Sequence, residues 1–349
     1  MWLLTLIVFI IMLGLLVLVH EFGHFIMAKK FGVHIYEFSI GMGPVIHKHI
    51  GKDKIQYSIR AFPIGGFVQM AGEVGEDDEK IAKKKFMCNK PWWQRIIILC
   101  AGVFNNFILA LILLFLLALI WGSNTMEPKI TEVVSDSAME IAGAKAGDVI
   151  LSVDNHQVKT WDKAQIYLVI NNGKDYYDIR VRHENGTEEN LKVAPTITKD
   201  EKGNETRVFG MQISSEVSYG IIPALRYAVT KTNSIIESMY IIIGALVTGH
   251  LSLSSLSGPV GIYNVVGQSI SYGFSQVIYL TAYLSLNLAV VNLLPFPAFD
   301  GGHVLFVIIE RIKGSPVNRN VEGYFHTIGF ILLMILMLII TCHDIIRLF

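Results

Sequence analysis

The apolar positions of this 349-residue chain are gathered into a few long blocks. Residues 2 to 19 carry no charge and only one polar side chain, Thr5. About 20 apolar residues at 1.5 Å each cross a hydrocarbon layer of about 30 Å. The block is apolar on all sides rather than along one stripe, so it predicts a membrane-crossing helix. The same pattern predicts spans over 96 to 121, 277 to 294 and 325 to 342. The second closes on Trp121, and the third is interrupted by Tyr279, Thr281, Ser285, Asn287 and Asn292. The run Ile235 to Val247 is too short for a crossing, contains Glu237 and follows Arg226 and Lys231. A helix over 224 to 248 is therefore expected to be amphipathic and at most partly inserted.

Alternation replaces these blocks in two places. Ile55 to Arg60 and Gly66 to Met70 alternate around Phe62-Pro63-Ile64-Gly65, which predicts a hairpin over 55 to 71 near the membrane. An unpaired edge there would accept an extended peptide by strand addition, with Gly65 and Gly66 assigned to substrate binding. Residues 127 to 197 read as strand, short helix, strand, helix and two strands, enough for one small α+β domain. The chain thus divides into a first membrane part at 1 to 121, the inserted domain at 127 to 197, and a second membrane part at 220 to 349.

Composition supports a polytopic membrane protein: 52% hydrophobic and 17% charged, with formal net charge zero. A neutral chain gives no case for nucleic-acid binding. Cys88, Cys100 and Cys342 are too scattered for a disulfide framework or a thiolate metal site. Residues 25 to 95 hold twelve Lys/Arg against seven Asp/Glu, whereas 122 to 223 hold eleven against sixteen. Basic residues near span ends stay inside, so the first loop is expected in the cytoplasm and the inserted domain outside. Lys83-Lys84-Lys85 fits this rule and would also meet anionic lipid.

The chemistry is concentrated where the first span ends, at His20-Glu21-Phe22-Gly23-His24. HExxH on a helix puts two imidazoles on one face, where both can bind one Zn²⁺, and the adjacent glutamate can take a proton from the attacking water. A third ligand is missing. The segment Asn292-Leu-Leu-Pro295-Phe-Pro297-Ala-Phe-Asp300-Gly301-Gly302-His303 offers Asp300, a costly carboxylate near a span end that the spans return to the face of the HExxH motif. His303 is its rival, as a ligand or as a residue orienting one. Asn292 is a candidate for hydrogen-bonding a substrate backbone. His34, His47 and His49 lack partner spacing and read as surface histidines.

At these residues the chain resembles the site-2 protease family of intramembrane zinc metalloproteases, in its bacterial regulator-of-sigma-E-protease branch. The likeness runs through HEFGH, Gly41-Met-Gly43-Pro44, Lys90-Pro-Trp-Trp-Gln-Arg95 with Ala101-Gly102, Ser257-Gly258-Pro259-Val260-Gly261 and the segment from Asn292 to His303. Phe299 and Val103 depart from the usual Leu and Pro without removing a group that hydrolysis needs. The resemblance implies His20, His24 and Asp300 as zinc ligands and Glu21 as catalytic base. It also implies a PDZ-like inserted domain, a membrane-associated β-loop at 55 to 71, and a multi-pass protein of the bacterial inner or plasma membrane with its active site toward the cytoplasm. Its expected substrates are single-span proteins trimmed outside the membrane, such as anti-sigma factors or signal-peptide remnants. Two other classes compete: a membrane metal-binding protein that needs no Glu21, and an inactive membrane chaperone that tolerates loss of His20 and Asp300.

Overall fold

The computed structural model describes residues 1–72, 81–170, 173–199, 205–214 and 216–347. The chain begins with α1 (Trp2–Lys30), β1 (Ile35–Ile50), β2 (Gln56–Met70) and α2 (Trp92–Trp121). Next come β3 (Ser123–Asn124), β4 (Ile130–Val133), α3 (Ala138–Ile141), β5 (Val149–Val153), β6 (His156–Gln157) and α4 (Trp161–Ile170). The strands β7 (Tyr177–Arg182), β8 (Glu188–Val193), β9 (Thr196–Lys199), β10 (Glu205–Val208), β11 (Met211–Ile213) and β12 (Val217–Ser218) follow. The chain ends in α5 (Ile221–Val247), α6 (Pro259–Ser271), α7 (Phe274–Leu293), α8 (Asp300–Lys313) and α9 (Arg319–Ile346). It forms two compact units, Met1–Leu113 with Leu256–Phe349, and Leu114–Ser255.

Among the described residues, four helices are long and apolar enough to cross a membrane: Trp2–Lys30, Trp92–Trp121, Phe274–Leu293 and Asn320–Ile346. Each begins at or before the segment expected from hydropathy, and the third closes one residue short of it, at Leu293. In the first unit, Phe25, Ala28, Phe38, Val68, Met70 and Ile98 form a buried core that joins α1, α2 and the strands. Gly23 explains how α1 and α2 come so close: a Cβ there would overlap the Ala101 carbonyl. An interior helical glycine costs about 1 kcal/mol against alanine, so its presence asks for such a reason.

The expected hairpin within 55 to 71 is not what forms. β2 runs through that segment as one bent strand, and its partner is β1. Each strand folds back at its middle, making four limbs. Residues 37 to 40 lie between two of them: Phe38 is opposite both Val68 and Tyr57, and Ile40 opposite both Gly66 and Ile59. Limb 56 to 60 also meets the second half of β1, with Ser58 opposite Lys48. The order is therefore 66–70, 35–40, 56–60, 45–50. The reversal that alternation places at Phe62–Gly65 is a bend within one strand, and β1 meets β2 at residues 51 to 54, where Lys54 has φ 64°. Limb 66–70 stays at an edge, against α1.

In the second unit, a four-stranded sheet of order β6-β5-β7-β8 packs its inward side chains into one core. Tyr177, Ile179 and Val181 alternate with exposed residues along β7, as a sheet with one covered face requires. This unit outruns the expected boundary at 197. β11 pairs with β4 and β9 with β10 as two further two-stranded sheets, so paired strands of this unit continue to residue 213. Helix α5 packs Ala224, Ala228, Thr232 and Ile235 inward. Its Lys231 binds both oxygens of Asp162 in α4, at 2.8 and 2.7 Å, and Ser234 donates to the same carboxylate at 3.0 Å.

Candidate metal centre

Because α1 continues without a break to Lys30, His20 and His24 stand one turn apart on one face, both 6% exposed. Their Nε2 atoms are 3.2 Å apart. Asp300, the first residue of α8, brings Oδ2 to 3.0 Å from His20 Nε2 and 3.4 Å from His24 Nε2. Three ligand atoms of a tetrahedral ion with bonds near 2.05 Å stand about 3.3 Å apart, so this spacing suits zinc. Burial disfavours the Asp300 anion, but the two imidazoles beside it hold the carboxyl below its ordinary range.

The donor chemistry also fits a cation. Asp300 Oδ2 is buried with no hydrogen-bond partner of its own. His24 donates Nδ1–H to the Ile98 carbonyl at 2.8 Å, which leaves its Nε2 lone pair facing Asp300. Asn106 lies 3.4 Å from His20 Nδ1 with its amide nitrogen turned to the ring, while its Oδ1 is buried without a partner. The two ends of an amide have nearly the same shape, so its orientation follows from the partners it meets. Turning this amide over gives Oδ1 a donor in His20 Nδ1–H and frees the second Nε2. Asn106 is itself fixed by Ser285, which donates to its backbone carbonyl at 2.8 Å.

Glu21 faces the sheet edge. The Val68 backbone N–H meets its carboxylate, and a Cβ on Gly66 would stand 3.7 Å from its Cγ. Gly65, at φ 92°, makes the bend in β2 before that edge. Asn292, near the end of α7, brings its amide nitrogen to 3.4 Å from His20 Nε2. The rival residue His303 is elsewhere: it groups with Glu322 and His326, not with the first two histidines.

Sequence reasoning missed Asn106, Ile98 and Gly102 as parts of this site. A Cβ at Gly102 would stand 2.5 Å from His24 Nε2 and 2.8 Å from His20 Nε2, so α2 lends bare backbone to the metal pocket. The signals that could have found them are a glycine inside an apolar helix and two adjacent asparagines, Asn105 and Asn106, in a predicted span.

Membrane-length helices and a buried His–His–carboxylate group beside a second carboxylate define the class, a membrane-embedded metallohydrolase. The profile of Peptidase family M50 matches residues 8–336, and the chain belongs to this family, the site-2 proteases. It is a zinc metalloprotease of the membrane. It is 33% identical to the regulator of sigma-W protease RasP of Bacillus subtilis, over 99% of both chains. It is 38% identical to a protein of Fusobacterium nucleatum named as a zinc metalloprotease, again over 99% of both. A similarly named protein of Clostridium acetobutylicum is 35% identical over 98% of this chain and 97% of its own. The Bacillus alignment spans 422 positions against 350 for the Fusobacterium one, so the Bacillus protein carries inserted residues that this chain lacks.

Proposed function

We propose that His20, His24 and Asp300 hold the zinc ion, that Glu21 is the general base, and that the enzyme cleaves transmembrane segments of single-span proteins. The observation that carries this reading is the convergence of two Nε2 atoms and an otherwise orphaned carboxylate oxygen within 3.4 Å, with Glu21 next to His20. Bound zinc supplies Lewis-acid polarisation of the scissile carbonyl and makes water a better nucleophile at neutral pH. Glu21 takes the proton of the attacking water and delivers it to the leaving amine. His24 and His20 keep their ligand tautomers through Ile98 and Asn106.

A transmembrane helix shields its peptide bonds in its own hydrogen bonds, so a substrate must unwind before Glu21 can act on it. Limb 66–70 lies at the edge of its sheet beside Glu21, and strand addition at that edge carries the extended form past Gly66 to Glu21. Asn292, whose amide nitrogen stands 3.4 Å from His20 Nε2, donates to a substrate carbonyl. The strand-helix region of the second unit acts as a PDZ-like filter that admits proteins already trimmed outside the membrane. Charge bias supports a cytoplasmic active site with that region outside. The name of the Bacillus relative, a regulator of sigma-W, supports anti-sigma-factor-like substrates, and remnants of signal peptides satisfy the same size rule.

The test is a comparison of membrane-protein fragments from cells carrying the wild-type protein or Glu21→Gln. Trimmed single-span fragments should accumulate uncut in the variant while purified Glu21→Gln retains its zinc. Undiminished cleavage by Glu21→Gln would remove the base from the mechanism.

A further inference from the structure

The arm that brings Asp300 to the histidines, residues 295 to 299, contains two prolines and three residues that own an N–H, namely Phe296, Ala298 and Phe299. Phe296 donates to the Leu294 carbonyl at 2.7 Å and Phe299 to the Phe296 carbonyl at 3.3 Å. Ala298 alone is satisfied from another element: its N–H donates to Nδ1 of His326, on α9, at 3.2 Å. Ala298 is also the strained residue of the arm, at φ 76° without being glycine. Such a conformation persists only where surroundings hold it, and Asp300 lies two residues beyond.

Helix α9 is shaped for this grip. Glu322, His326 and Gly329 are spaced by four and three residues and share a face. A Cβ at Gly329 would overlap the Pro297 side chain, so the arm lies directly on the helix. One turn back, Glu322 pairs with His303 Nδ1 at 3.2 Å, and the His303 and His326 rings stack at 3.7 Å. Glu322 thereby ties α9 to the first turn of α8, just past Asp300.

His303, Glu322 and His326 also form a second set of side chains that could hold a metal. The direction of the Ala298 bond weighs against that use. An Nδ1 that accepts an N–H carries no proton, so the neutral ring keeps its proton on Nε2, the atom a metal would need. We infer that His326 is a positioning residue for the metal centre: by accepting from Ala298 it fixes the strained arm and so sets where the Asp300 carboxylate stands. The inference rests on the reading of Asp300 as a zinc ligand.

Full-length protein in detergent micelles tests both, using His326→Asn, His326→Gln and Asp300→Ala. Asparagine offers an acceptor near the position of Nδ1, and glutamine offers it one bond too far. Losing a residue that orients a ligand typically weakens metal binding about 10–100-fold. In chelator competition, His326→Gln should show a loss of that size and His326→Asn should stay within about threefold of wild type. On a transmembrane peptide substrate, kcat should fall in the glutamine variant with KM little changed. Equal zinc affinity in wild type and both His326 variants, with zinc lost in Asp300→Ala, would overturn the positioning role and leave the ligand reading intact. Retention of zinc by Asp300→Ala would overturn the ligand reading itself. A second zinc per chain that disappears in both His326 variants would make this group a metal site instead of a brace.

Discussion

Two groups in this protein have the same inventory, two histidines and one carboxylate, and differ in what the remote nitrogen of each ring does. In the group of His20, His24 and Asp300, His24 gives its Nδ1–H to a backbone carbonyl, and His20 faces an amide whose oxygen has no other partner. Both leave Nε2 open toward the carboxylate. In the group of His303, Glu322 and His326, one ring accepts a backbone N–H and the other gives its Nδ1 proton to the carboxylate that would be its fellow ligand. On the reading proposed above, the same three residue types make a ligand set in one place and a brace in the other. What decides is the hydrogen bond on the far side of each ring.

The comparison is broken most severely at Gly102, where only the absence of a side chain leaves room beside His24 Nε2. Gly102→Ala must push α2 off the metal pocket. A displacement near 1 Å costs on the order of 100-fold in rate, and overpacking costs about 1–3 kcal/mol of stability. Steady-state cleavage of a transmembrane peptide together with thermal unfolding would read both effects. Unchanged kcat/KM in Gly102→Ala would mean that α2 does not limit the ligand geometry.

A smaller effect is expected from the far side of His20. Asn106→Leu keeps the volume but removes the acceptor that fixes the His20 tautomer, so zinc affinity should fall about 10–100-fold, as measured by chelator competition. The matching change in the second group is Glu322→Gln. It should alter zinc affinity by less than the roughly tenfold that marks loss of a ligand-orienting partner, because Glu322 touches His303 and not the arm. If Glu322→Gln weakened zinc more than Asn106→Leu, the contrast between the two groups would collapse.

Much of this architecture is legible in the sequence, for reasons tied to locality. Four spans follow from hydropathy because a helix satisfies its own backbone and needs no partner to be predicted. HExxH declares itself because both imidazoles come from one turn. The β-loop departs from its expected hairpin because alternation signals strand but not partner: β2 contains both predicted strands and pairs with residues 35 to 50, where alternation gives no comparable signal. The second unit runs past its expected end for the same reason, since the pairing of Met211 with Val133 leaves no local mark. Spacing alone leaves Asp300 and His303 as rivals. Their separation depends on α9, whose Glu322 and His326 draw His303 aside through contacts between residues 19 and 23 positions apart from it.

On the proposed reading, Asp300 and not His303 completes the ligand set of His20 and His24. Zinc content per chain in purified Asp300→Ala and His303→Ala, measured by elemental analysis after identical dialysis, tests it directly. Zinc should fall well below one per chain in Asp300→Ala and stay close to one in His303→Ala. Zinc lost from His303→Ala and retained by Asp300→Ala would contradict it.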